Sequence, residues 1–509
     1  MWRLWLPGMK VGFVMRARDT WVLIATIIGS SLAFIDGTVV ALALPAIQRE
    51  FRASAGDVAW IVELYTLVLG SLMLLGGALA DRYGRKRAFV WGIALFMLGS
   101  IGCAFSWSIP SMLIARVAQG VGGMLFAPAS LAILGDHFSG DARGRAIGTW
   151  SAFSALTSTL GPAIGGVFID TLGWRSVFWI NIPLGVLVIA LALRHIRESR
   201  DEDAPRQLDW LGAMLATSGL GGVTYALILA SSAGWHTFAV DGSMVGGVAL
   251  LVLFVTHEHR AKAPLVPPDI FESRTFRTIN IATLFLYGAL GALFYELPFA
   301  MIQAHGYSAL QTALGMLPML ISLVLLARVG TLLAKRFGVR RVLTVGPAIV
   351  TCGFALLALL EPQRGYALAF FPGILVVGLG MGITVAPLTT SVVSAADPRH
   401  VGIASGINNA VSRIAGLLAI AALTVLLASL YNASLNRSLD ALHATPSMRA
   451  TAASQSDRLG GAHFAQPALQ RASITAFESG FRGVAAGCAI LAALAALSDA
   501  FGIEEAKLH

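Results

Sequence analysis

Fourteen long apolar runs set the limits on what this 509-residue chain can become. They lie near 21–45, 58–80, 88–106, 111–134, 145–169, 177–194, 209–231, 242–256, 277–303, 310–333, 342–360, 367–390, 403–430 and 481–501. A helix crossing a bilayer needs about 20 mostly apolar residues. A spanning strand would alternate polar and apolar positions over ~10 residues, and these runs are continuous, so spanning strands are excluded. The eighth run is short and glycine-rich. Only 12% of residues are charged against 56% apolar, where a soluble chain carries about 25% charged. That balance excludes a disordered chain and an ordinary cytosolic enzyme. The expectation is an all-α membrane protein with 14 transmembrane helices.

The net charge of +9 does not point to nucleic acid, because the basic residues form short clusters between apolar runs. There they act as orientation signals. With the N-terminus cytoplasmic, the inner segments hold Arg3, Lys10, Arg16 and Arg18, the clusters at 82–87, 143–145, 194–206, 260–277 and 335–341, and Arg399 and Lys507. These are 24 of the 36 basic residues. Both termini are therefore expected on the cytoplasmic side of a bacterial-type inner (plasma) membrane. The stretch 431–480, rich in Ala, Ser, Gln and Asn, reads as a long outer loop, either functional or a partly ordered cap. Cys103, Cys352 and Cys488 fall inside apolar stretches without metal-site spacing and read as small buried hydrophobes. No cleavable signal peptide is evident.

A weak repeat links the halves. GALADRYGRKR (77–87) follows the second span and AKRFGVRR (334–341) follows the tenth, with Gly84 matching Gly338 and Asp81 matching Lys335. Matching basic loops suggest duplicated bundles. The expected organisation is a six-helix bundle over 1–195, a linker with two extra helices over 196–276, and a second six-helix bundle over 277–509.

Several residues are out of place in lipid. Asp36 sits mid-span, where a carboxylate costs about 2.5–3.5 kcal/mol. It is either a proton carrier, raised in pKa by desolvation and exposed alternately, or a structural hydrogen-bond partner. Arg116 begins a helical face with Gly120 and Gly123, where another helix can approach; it either balances a carboxylate or snorkels to the headgroups. Glu63, one turn into the second span, either joins in coupling or sits at the outer interface. Glu296, just before Pro298, either faces a cavity or is paired structurally. Asn408 and Asn409, near Arg413, either line the cavity or bond between helices. Tyr65, Tyr287 and Tyr295 can stack on flat cations or face lipid.

Two motifs concern movement. Asp81, Arg82, Gly84, Arg85 and Lys86, with Arg87, form an inner loop that reads both as a positive-inside anchor and as a conformational lock. Gly161, Pro162, Gly165 and Gly166 combine a kink with close packing in the fifth span. There is no phosphate loop, no H-E-x-x-H and no G-x-S-x-G, and His257-Glu258-His259 reads as a solvated loop without zinc spacing. ATP-driven transport and intramembrane hydrolysis are unsupported.

The motifs FIDGTVVALALP (34–45), GALADRYGRKR (77–87), LIARVAQGVGG (113–123), LGPAIGG (160–166), WRSVFWINIP (174–183) and GIASGINNAVSRIAG (402–416) occur in order. Together they resemble the major facilitator superfamily, specifically its fourteen-helix drug:proton antiporter branch (EmrB/QacA-type). The resemblance implies a fold of two six-helix bundles plus two inserted helices. It implies multidrug efflux by antiport and alternating access, driven by a proton gradient with no cofactor, metal or catalytic residue. It assigns Asp36 and Arg116 to proton coupling and associates the Gly161-Pro162 motif with antiporters. Glu296 departs from the family's usual apolar residue. The partners implied are the bilayer, protons, a small organic substrate and a periplasmic adaptor protein. A proton-driven importer or lipid or metabolite transporter is the alternative, with an intramembrane enzyme or receptor more remote.

Overall fold

The computed structural model describes residues 17–201, 208–235, 237–261, 264–359, 365–395 and 401–504, and every regular element among them is helical. The expected inner residues Arg3, Lys10, Arg16, Arg206, Lys262, Arg399 and Lys507 lie outside the described residues. The first bundle comprises α1 (Ala17–Phe51), α2 (Ala55–Tyr83), α3 (Arg85–Ala104), α4 (Ile109–His137), α5 (Gly140–Leu172), a single turn α6 (Ser176–Trp179) and α7 (Asn181–His195). A hairpin follows, α8 (Trp210–Ala233) and α9 (Phe238–Glu258). The second bundle comprises α10 (Arg274–Phe299), α11 (Ala309–Phe337), α12 (Val339–Leu359), a turn α13 (Tyr366–Ala369), α14 (Phe371–Ser394), α15 (Val401–Ala441), α16 (Pro446–Ala453) and α17 (Pro467–Gly502). Among the described residues, thirteen helices are long and apolar enough to cross a membrane, with α6 and α7 forming one span. The remaining long helix is α5, 33 residues, which occupies the fifth expected place.

Helix limits follow local chemistry. Ser54, Ser108 and Ser308 each bond the third amide of the following helix in a capping box. Such caps contribute about 1 kcal/mol each. Gly84 ends α2 at φ +118°, a backbone conformation that disfavours a side chain. Pro298 has no amide hydrogen to donate to the helical ladder, and α10 widens into a π turn over Ala300–Ala304. Small residues then set helix spacing: a Cβ at Gly122 would lie 2.6 Å from the α3 backbone at Gly92 and Phe96. In lipid, that close backbone approach supplies the packing attraction that water exclusion supplies elsewhere.

The expected 431–480 loop is much shorter. Helix α15 continues to Ala441 and α17 starts at Pro467, so 442–466 connects them through α16 and a 3₁₀ turn over Ser456–Gly461. Polar composition marks where the chain leaves the bilayer, not where it stops being helical. The connection is packed, with Ala452, Leu459 and Ala462 buried. His257 and Glu258 also differ from expectation. They form the last turn of α9, not a solvated loop: His257 Nε2 lies 2.8 Å from Asp209 Oδ1, and buried Glu258 accepts from the Val266 amide at 2.8 Å.

The turn from α2 to α3, carrying Arg82 to Arg87, marks a basic face, and the end of α1 at Phe51 marks the opposite, far face. In the far half one continuous apolar core runs through both bundles, from Val39, Ile47 and Phe178 to Met301, Ala309 and Phe481. In the basic half the cores are largely separate. One centres on Phe89, Phe96 and Phe126, the other on Phe276, Leu343 and Leu388. The bundles are thus joined at the far side and parted nearer the basic side. Helix α8 lies along their seam, where Leu220 packs with Leu67 of α2 and Leu417 of α15. Thr217 also donates to Ser71 of α2 at 2.9 Å.

Candidate functional site

Asp36 and Arg116 meet in the middle of the first bundle. Arg116 Nη1 donates to Asp36 Oδ2 at 2.7 Å and to Gln119 Oε1 at 2.7 Å, while its Nε donates to the Ile61 carbonyl at 2.8 Å. Gln119 Nε2 donates to Asp36 Oδ1 at 3.2 Å and to Ser100 Oγ at 2.8 Å. Asn181 Nδ2 donates to the same Ser100 hydroxyl at 3.0 Å. The guanidinium lies 4.3 Å over the Tyr65 ring. Asp36 is 2% exposed and Arg116 1%, so the pair is sealed and Arg116 does not snorkel. Gly120 and Gly123 face Val68 and Leu69 and let α2 close over the network. Gln119, Ser100 and Asn181 were not singled out in the sequence. The available signal was a glutamine three residues after Arg116, hence on the same helical face.

Two further carboxyl groups lie toward the far side. Glu63 is fully buried, with neither oxygen hydrogen-bonded. Glu296 borders a small cavity of about 20 Å³ with Tyr295, Thr424, Arg458 and Phe477. Both carboxyl groups are within electrostatic reach of Tyr295, so α2 and α10 bring them into one region. Tyr295 packs on Phe299 at 5.4 Å. Tyr287 is half-buried on the same helix.

The far side is latched by residues the sequence did not flag. Asp170 on α5 accepts from the Ala309 and Leu310 amides, at 3.1 and 2.9 Å, at the N-terminus of α11. A carboxylate there meets unpaired amides and the positive end of the helix dipole. Gln303 donates to Gln48 at 2.9 Å, and Gln48 donates to the Arg458 carbonyl at 3.1 Å, tying both bundles to the 442–466 connection. Gly161 lies against Ile35 and Thr38 of α1, Gly165 against Val39, and Gly166 so close to α11 that a Cβ would be 2.7 Å from Leu310 Cα. Pro162 is buried between them in α5.

On the basic side a groove of about 370 Å³ opens between α10 and α15. It is lined by Phe271, Arg277, Asn280, Ile281, Leu284, Val411 and Ile414. Val411 and Leu74 of α2 pack on one apolar cluster, and Ile414 packs on another that contains Leu67 of α2, so the groove lies near the seam. Asn408 donates to Asn280 at 3.1 Å and to Thr283 at 2.9 Å, bonding α15 to α10, whereas Asn409 is exposed.

The basic loop is braced against its own bundle. Arg85 pairs with Asp81 at 2.8 Å and with Asp136 of α4 at 3.5 Å. Glu198, after α7, accepts from the Lys86 and Arg87 amides, and Lys86 Nζ donates to the Leu193 carbonyl. The Arg82 guanidinium lies 5.2 Å from the Tyr83 ring, and Gly84 meets Glu198. Among the described residues no group of three or more His, Cys, Asp or Glu is placed to hold a metal ion.

Two helical bundles closed together at one face and grooved at the other, with a buried charge network inside the first, are the architecture of a membrane carrier. The chain belongs to the major facilitator superfamily, which it matches over residues 26–209 and again over 201–420. It is 34% identical to the methylenomycin A resistance protein of Bacillus subtilis, across 79% of this chain and 86% of that protein. It is 30% identical to the tetracenomycin C resistance and export protein of Streptomyces glaucescens, across 82% and 77%. The MFS-type transporter EfpA of Mycobacterium tuberculosis is 34% identical across 78% and 75%. Among solved structures, an inward-facing, unoccupied bacterial homologue of the human lysosomal transporter Spinster superposes with a TM-score of 0.67 at 16% identity, covering 95% of this chain and 98% of that one. That likeness is one of fold.

Proposed function

We propose that the protein is a proton-coupled exporter of amphipathic organic compounds, working by alternating access with its basic face and termini in the cytoplasm. Relatives named for antibiotic resistance and export support the direction. The observation carrying the coupling is the sealed pair of Asp36 and Arg116. The guanidinium cannot lose its proton, so Asp36 faces a permanent positive charge. A proton reaching Asp36 cancels the negative half of the pair, so Arg116 is left with only neutral acceptors, the uncharged acid, Gln119 and the Ile61 carbonyl. Protonation therefore loosens α1 from α4. Because α1 also carries Val39, packed on Gly165, its movement reaches the far-side latch. Glu63, buried without a partner, is tolerable in its position as the neutral acid and is the second proton carrier.

In this reading substrate enters from the basic side, and the latch of Asp170, Gly166 and Gln48 opens to release it. A pH difference of one unit supplies about 1.4 kcal/mol per proton. Glu296, Tyr65, Tyr287, Tyr295, Asn408 and Asn409 belong to the path or its walls. The basic loop braces α2, α3, α4 and the end of α7 so that they move as one body. The test is transport in liposomes under an imposed pH gradient with Asp36→Asn and Glu63→Gln. Gradient-driven export is expected to fall by at least tenfold in each, while substrate exchange without a gradient persists. Wild-type export by Asp36→Asn would end the role given to Asp36.

A further inference from the structure

Asp36 is consumed by Arg116, and Glu296 borders the far-side cavity with Arg458. The groove between α10 and α15 is lined by a single charged residue, Arg277, and it is exposed. One turn deeper, Asn280 contributes an amide, and Leu284 and Ile281 form an apolar wall. Arg413 follows directly between the lining residues Val411 and Ile414 on α15. Its side chain crosses the seam to Gly70 of α2, within electrostatic reach of Tyr65. Its Nε has no hydrogen-bond partner, and among the described residues no carboxylate pairs with it. A permanent cation at this depth is costly unless an anion answers it, and nothing described within the protein does so.

Building on the export reading, we propose that the transported compound is an amphipathic organic anion whose carboxylate, phenolate or sulfonate is bound by Arg413. Arg277 draws the anion to the groove, and the apolar wall takes its hydrocarbon or aromatic body. Guanidinium suits this role because its planar fork pairs two oxygens at once. The assignment also fits the energetics. Moving a monoanion out while a proton moves in transfers two positive charges inward per cycle, so an interior-negative potential drives both movements.

A matched pair of fluorophores tests this: dansylglycine, an anion, and dansylcadaverine, a cation of similar size. Binding to the purified full chain in neutral detergent is measured by fluorescence, and transport in liposomes with a pH gradient and an interior-negative potential. Dansylglycine is expected to bind at least tenfold more tightly than dansylcadaverine. Arg413→Gln should weaken it at least tenfold and Arg413→Lys less, while Arg277→Gln should weaken it several-fold at low salt and little at high salt. Tighter binding of dansylcadaverine, or unchanged dansylglycine affinity in a monodisperse Arg413→Gln protein, overturns the proposal. If Arg413→Gln does not fold, Arg277→Gln decides, and an unchanged low-salt affinity overturns it. Arg413-dependent binding of dansylglycine that no gradient can move would remove proton-coupled export and leave the substrate class standing.

Discussion

At the scale of single residues, the Asp36–Arg116 pair has a cost that mutation exposes. Arg116→Gln leaves a buried carboxylate facing only Gln119, and breaking a buried pair from one side costs about 3–5 kcal/mol. The melting temperature in detergent should drop sharply, and Asp36→Asn in the same chain should recover much of the loss. Additive losses in the double variant would show that the two groups do not depend on one another. Asp36 and Arg116 were legible in the sequence because a charge inside an apolar run stands out. Ser100 and Asn181 were not, since single uncharged polar residues are ordinary in membrane helices. Asp170, Gln48 and Gln303 escaped for another reason. They lie at the edges of their apolar runs, and their partners are supplied by chain segments more than a hundred residues away.

At the scale of elements, the packing of α5 against α11 makes the far-side closure adjustable. Asp170→Ala removes two hydrogen bonds accepted from backbone amides at a helix N-terminus, about 1–2 kcal/mol. A cysteine at Phe299, beside the far-side cavity, should then react roughly 5–30 times faster with a membrane-impermeant maleimide, if the latch limits access. Gly166→Val should act the same way by steric exclusion from Leu310, and an unchanged rate in both variants would remove the latch assignment. The hairpin offers a separate prediction. Burial raises the pKa of Asp209, but bonds from the Gly212 amide and His257 outweigh it and hold the carboxylate below its usual range. A depressed folded value stabilises above the unfolded value of about 3.9 and is lost as pH falls through the folded value. Asp209→Ala should therefore loosen α8 at pH 7, read as faster amide exchange at its start, with the difference from wild type vanishing in strong acid. Helix positions were legible from the continuous apolar runs. The extensions of α15 and α17 beyond the apolar runs were not, because an alanine-rich polar segment looks the same to hydropathy whether coiled or helical.

At the scale of the whole molecule, the sidedness of the chain is open to direct measurement. In a chain with its native cysteines replaced, Ser447→Cys in the 442–466 connection should label from outside intact cells, and His259→Cys only after permeabilisation. The reverse pattern would invert the orientation and with it the direction of transport. Alternating access requires the two bundles to rock, and α8 touches α2 and α15 on both sides of the seam about which they must turn. A rod wedged along a turning joint has to slide, tilt or be carried by one leaf. Helix α8 should therefore work as a gasket, keeping acyl chains out of the gap while the carrier swings, and its fit should set how far the swing can go.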